Sequence, residues 1–163
     1  MADIFTAKCE ECGNIFSANF GIYRKTCKNM DNRIIEEYGE KTYSQCIEIL
    51  EKVEKEIKFD IEDYDCFEIE RVHDLDYNKC FVINRKIFEN RLFICPECGK
   101  MDNKYYLGIF MSDCEYALKT KCPKCNAGMT SYKSFESAIE ENALRCPKCG
   151  SNKLIVEHAL HLD

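Results

Sequence analysis

Cysteine is the residue of this chain best placed to do chemistry, with 13 copies among 163 residues. Eight of them form four pairs of one spacing: Cys9/Cys12, Cys95/Cys98, Cys122/Cys125 and Cys146/Cys149. In a CxxC pair two thiolates converge on one ion from a tight turn. Two such turns supply the four ligands of a zinc tetrahedron, with Zn–S distances of about 2.3 Å. The flanking residues suit that turn. Pro96, Pro123 and Pro147 follow the first cysteine of three knuckles and restrict φ there. Gly13, Gly99 and Gly150 follow the second cysteine and accept positive φ; Asn126 takes that place in the third knuckle and is among the few other residues that accept it. One CxxC is a weak signal, since redox turns and chance both produce it. Four copies, three of them with proline, predict structural metal. An odd cysteine count with no export signal also argues against a disulfide framework.

The knuckles need elements to hold them. Residues 29–58 read as helical, with Ile34, Ile35, Tyr38, Cys46, Ile49, Leu50, Val53 and Ile57 at spacings of three and four, and Gly39 as a break near Tyr38. Residues 64–94 change to a strand pattern, with a turn at 76–79. A hairpin is expected over 104–121 with Ser112-Asp113 at its tip, and a short helix over 134–143, where Ser137 and Glu140 have capping-box spacing. The segment from Leu154 begins as a strand. The stretch ENRLFICPECG at 89–99 resembles ENALRCPKCG at 141–150, which suggests a tandem repeat.

The CPxCG form at Cys95–Gly99 and Cys146–Gly150, each after a strand-like segment, resembles zinc-ribbon proteins. So does Cys122–Cys125 followed 20 residues later by Cys146–Cys149. The resemblance covers the knuckles and their flanks and leaves 29–92 unaddressed. It implies two knuckles holding one zinc against a small antiparallel sheet, a module used in transcription, translation and adaptor proteins. The expected fold class is α+β, with two zinc-ribbon β-hairpin units and a helical and β insertion. The expected boundaries are 1–28 plus 93–118 for the first ribbon, 29–92 for an acidic insertion and 119–163 for the second ribbon. Two zinc ions are expected, with iron the competing ion because rubredoxin-like sites use similar knuckles. Sequential pairing joins Cys9/Cys12 with Cys95/Cys98 and Cys122/Cys125 with Cys146/Cys149. The other arrangement joins the middle two knuckles and the outer two. The repeat favours the sequential one.

The remaining cysteines read as small core residues, Cys46 on the apolar helix face among them, with Cys27 and Cys114 as spare-ligand candidates. His158 and His161, three apart, would suit a metal on a helix, yet read as part of a solvated tail, since eight cysteines already satisfy two ions. Tyr105 and Tyr106 are candidates for base stacking, though core packing is the ordinary role of such aromatics.

The formal net charge is −6, and two Cys₄ zinc sites bring it to about −10. Acidic residues are in excess within 29–92. That balance weighs against non-specific duplex binding. Residues 119–163 are slightly basic, and Lys119, Lys121, Lys124, Lys133 and Lys148 are the candidate nucleic-acid contacts. There is no HExxH, no HxE before a PCxxC deaminase signature, no Walker A loop and no GxGxxG. No apolar run is long enough to cross a bilayer. The expectation is a cytoplasmic, non-enzymatic, zinc-binding adaptor or regulatory protein that contacts a protein or nucleoprotein partner. Direct nucleic-acid binding through the C-terminal ribbon is the alternative.

Overall fold

In the segment that precedes the first knuckle, Phe5, Ala7 and Cys9 alternate with Thr6 and Lys8, which is the pattern of a strand with one buried face. The computed structural model describes residues 2–21, 30–54, 69–74, 86–111 and 114–162. It is a mixed structure, mostly antiparallel sheet with few helices. Its contacts divide the chain into two units, and the division falls within two strands, after Phe88 and after Tyr105.

The first unit comprises Met1–Cys27, Glu89–Tyr105 and Thr120–Asp163. Strand β1 (Ala2–Cys9) turns through the first knuckle into antiparallel β2 (Ile15–Gly21), with Lys8 opposite Ile15. The last strand, β8 (Leu154–Leu162), lies antiparallel on the other edge of β1, with Cys9 opposite Leu154. The second knuckle connects β4 (Lys86–Ile94) to β5 (Met101–Met111). β7 (Thr130–Tyr132) runs antiparallel to β4, with Ile94 opposite Thr130. β4 also meets β2, where Asn90 is opposite Gly21. The Asn103 side chain ties these strands together: its Nδ2 donates to the Asn19 and Arg91 carbonyls, each at 2.9 Å, and its Oδ1 accepts from the Asn19 N–H at 2.9 Å.

One apolar core serves this unit. Ala7, Ala18, Phe20, Leu92, Ile94, Tyr132, Phe135, Ala138 and Leu144 are buried together. Phe135 is fully buried and meets Phe16 and Phe20 edge-on, at 5.8 and 5.5 Å between ring centroids. It opens a short helix, Phe135–Glu140. The cap of that helix is Ser134, whose Oγ accepts from the Ser137 N–H at 3.2 Å. The expected capping box at Ser137 and Glu140 is therefore one turn too late. The helix ends on Asn142 at φ 54°, with Asn142 N–H bonded to the Ile139 carbonyl and Ala143 N–H to the Ala138 carbonyl. That is the Schellman pattern, with asparagine in the left-handed position, and it returns Leu144 to the core.

The second unit comprises Lys28–Phe88 and Tyr106–Lys119. Helices α1 (Met30–Tyr38) and α2 (Glu40–Glu54) are separated by Gly39 at φ +88°, as the sequence predicts. Ile34, Cys46 and Ile49 are buried there. Cys46 thus takes the core role expected of it. β6 (Cys114–Leu118) pairs with β5, Met111 opposite Cys114, and with β3 (Ile69–Asp74). The hairpin tip at 112–113, the turn at 76–79, the strand pattern at 81–83, and Cys27, Cys66 and Cys80 lie outside the described residues.

The expected boundaries, 1–28 plus 93–118 and 119–163, do not coincide with the two units. All four knuckles fall in the first unit, because β8 pairs with β1 and β7 with β4. The similarity of 89–99 to 141–150 has a structural counterpart in the knuckles alone. Before the knuckles, residues 89–94 are a strand, while residues 141–145 are the end of a helix and an irregular approach to Cys146.

Candidate metal centres

The four knuckles are built alike. In each, the N–H of the residue after the second cysteine donates to the carbonyl of the first: Gly13 to Cys9 and Gly99 to Cys95 at 2.9 Å, Asn126 to Cys122 at 2.9 Å, and Gly150 to Cys146 at 2.8 Å. The N–H of each first cysteine then donates to the carbonyl five residues on, at 2.8 or 2.9 Å. This turn demands a left-handed residue. Gly13, Gly99, Asn126 and Gly150 have φ of 69°, 67°, 61° and 77°. Their residue types alone announce that requirement.

Strand register brings the knuckles together in pairs. Cys9 ends β1 opposite Leu154, and the Glu10 N–H donates to the Lys153 carbonyl at 3.0 Å, so the fourth knuckle lies against the first. Ile94 ends β4 opposite Thr130, so the third knuckle lies against the second. The resulting clusters are Cys9, Cys12, Cys146 and Cys149, and Cys95, Cys98, Cys122 and Cys125. The sequential pairing is therefore corrected: the outer two knuckles join, as do the middle two. The repeat that favoured sequential pairing came from the shared knuckle form and one buried leucine in each copy, Leu92 and Leu144.

Both clusters fit a tetrahedral metal. Cross-knuckle Sγ···Sγ separations are 3.6 Å for Cys9–Cys149 and Cys12–Cys146, and 3.4 to 3.7 Å for Cys95–Cys125, Cys98–Cys122 and Cys98–Cys125. A tetrahedron with Zn–S bonds of about 2.3 Å has edges of about 3.8 Å. A disulfide would need about 2.05 Å, and all eight thiols are free. In each cluster the first cysteine of either knuckle is buried, and the second lies nearer solvent.

The thiols are electrostatically uneven before metal arrives. Burial opposes ionisation of Cys122. N–H donors from Cys125 and Lys124 and the thiols of Cys98 and Cys125 outweigh it and bring its pKa down to about 6. Cys146 matches it: burial opposes, donors from Cys149, Lys148 and Cys12 prevail, and the pKa again falls to about 6. Cys125 and Cys149 are pushed the other way, to about 12. A backbone N–H favours the thiolate of each, but hydrogen bonds to neighbouring sulfurs, together with burial, hold the proton on. Each cluster thus offers one sulfur that ionises readily and one that holds its proton, and metal binding must displace that proton.

The five candidate lysines are exposed. They do not share one ribbon. Lys121 and Lys124 flank Cys122 in one cluster, Lys148 stands beside Cys149 in the other, and Lys119 belongs to the second unit. Tyr106 is buried, so base stacking does not fall to it.

Sequence reasoning passed over one further cluster. His158 and His161 lie on β8, not on a free tail, and both meet Asp3 of β1. His158 Nε2 and His161 Nδ1 donate to the same Asp3 Oδ1, at 2.9 and 2.7 Å. Those two hydrogen bonds, that of His161 first, hold the Asp3 carboxyl below its usual range. The i, i+3 spacing was the available signal, and reading it on a helix hid the partner on β1.

Comparison with protein-family models, with curated proteins and with solved structures finds no match. Among the described residues no helix is long and apolar enough to cross a membrane.

Proposed function

We propose that the protein is a cytoplasmic, non-enzymatic adaptor or regulator whose two Cys₄ centres hold structural zinc and stiffen a surface for a protein or nucleoprotein partner. The observation that carries this is ligand closure. Each cluster supplies four thiols at tetrahedral spacing. Catalytic zinc keeps one position for water or substrate, whereas structural zinc is fully ligated by protein. The all-sulfur donor set suits zinc, with iron as the other ion such sites take. The acidic net charge favours a basic protein surface over bare nucleic acid as partner.

Elemental analysis after exhaustive dialysis is expected to return two zinc ions per chain and no iron. Affinity capture is expected to return a partner that is released when zinc is chelated. Failure to retain any partner, combined with turnover on a substrate panel, would overturn the reading. Direct nucleic-acid binding is the second reading, favoured by the exposure of Lys121, Lys124 and Lys148. It requires salt-sensitive binding that weakens when those three are neutralised, and no binding at low salt would remove it.

A further inference from the structure

We propose that Asp3, His158 and His161 form a third metal site, open and exchangeable, for a divalent first-row transition metal, with zinc as its first occupant. A single backbone irregularity makes it. Along a regular strand, residues i and i+3 point to opposite faces. Here Phe5 is opposite His158 and Ile4 opposite Leu160, so Ala159 is the extra residue of a bulge. Beyond it Asp3 is opposite His161. Residues directly opposite share a face, and Asp3 and Phe5 are two apart on β1. The bulge therefore turns His158 and His161 to one face with Asp3. Re-aiming a side chain is a recurrent use of bulges.

The donor atoms are close to coordination geometry. His158 Nε2, His161 Nδ1 and an Asp3 carboxylate oxygen all lie within 4.8 Å of one another. Zinc with bonds of about 2.0 to 2.1 Å to nitrogen and oxygen holds its ligand atoms about 3.3 Å apart. The 2.9 and 2.7 Å contacts to Asp3 need to open by about half an ångström to admit the ion. Phe5 packs edge-on against His158, at 5.0 Å and 71°, and limits where that ring can turn.

Without metal, each ring N–H is donated to the carboxylate. To bind, each neutral imidazole moves that proton to its other ring nitrogen through solvent and presents the vacated lone pair. No proton is lost overall. An imidazolium must release one, so protons compete with the ion for these nitrogens. The side chains of Asp3, His158 and His161 are 33 %, 47 % and 46 % exposed. Three protein ligands at that exposure leave room for water or a partner's donor, which a Cys₄ centre does not. The site lies six residues along β1 from Cys9, about 20 Å at a strand's rise. An ion there pins β1 to β8 at the end opposite the Cys9 centre.

The test uses the untagged full chain with both Cys₄ centres filled, titrated with zinc while the imidazole ring signals are followed by NMR. The three histidines serve as probe and control. Signals of His158 and His161 are expected to shift and saturate at one added equivalent, with that of His73 unmoved. Asp3→Asn and His161→Gln are each expected to weaken this step more than tenfold, at least what loss of a ligand's supporting partner costs. Both variants should keep two tightly held zinc ions, which verifies their fold. Unmoved His158 and His161 signals at several equivalents would overturn the proposal. So would undiminished binding in both variants.

Discussion

The two Cys₄ centres have the same ligands, the same knuckle hydrogen bonds and nearly the same sulfur spacing, yet they join very different lengths of chain. The inner centre links Cys98 to Cys122, 24 residues apart, and the outer links Cys12 to Cys146, 134 apart. The inner lies wholly within the loop the outer closes. Coordination chemistry therefore does not choose which knuckles meet, because every knuckle offers the same thing. Strand register chooses, through β8 on β1 and β7 on β4.

The sharpest way to break this comparison is to remove one knuckle. Cys146→Ser with Cys149→Ser is expected to abolish one zinc, with loss of the order of 10 kcal/mol of metal-linked folding energy. Cys9 and Cys12 should then react with a thiol reagent, while Cys95, Cys98, Cys122 and Cys125 stay protected. Reactive Cys122 and Cys125 in that variant would restore the sequential pairing.

Acidification should act on both centres alike, which sharpens their chemical equivalence. Metal binds thiolates, so affinity must fall as pH falls. At pH 7 Cys122 and Cys146 have already lost their protons, with pKa values of about 6, whereas Cys125 and Cys149, at about 12, have not. Zinc affinity measured by chelator competition is expected to weaken steadily from pH 8 and more steeply below pH 6, at both centres. A centre insensitive to pH over that range would contradict the all-thiolate assignment.

The smallest expected effect separates the two. Where metal binding and folding are one event, the longer loop costs about 1.5 kcal/mol more to close, roughly tenfold in affinity. Stepwise chelation is expected to empty the outer centre first, read as Cys9 reacting before Cys95. Simultaneous emptying would show that the sheet is closed before metal arrives, and the reverse order would contradict the loop-closure argument.

The ligands were legible because the knuckle imposes local demands, such as glycine or asparagine after the second cysteine, that residue types reveal directly. Gly39 between the two helices was legible for the same reason, as was Cys46 in its helical stripe. The pairing was not. It depends on Cys9 facing Leu154 and Ile94 facing Thr130, contacts between segments far apart in sequence whose register no local pattern encodes. The cap at Ser134 was missed because serines at 134 and 137 both suit that role, and burial of Phe135 decides between them. That His158 and His161 share a face with Asp3 was not legible, because a bulge at Ala159 changes the face that a spacing of three selects.

Nesting also has a consequence for synthesis. The inner centre has all its ligands once the ribosome has passed Cys125, whereas the outer must wait for Cys149. A nascent or prematurely terminated chain can therefore hold one ion and not the other. In such a product Cys9 and Cys12 would remain two thiols without the Cys146 and Cys149 that complete their cluster.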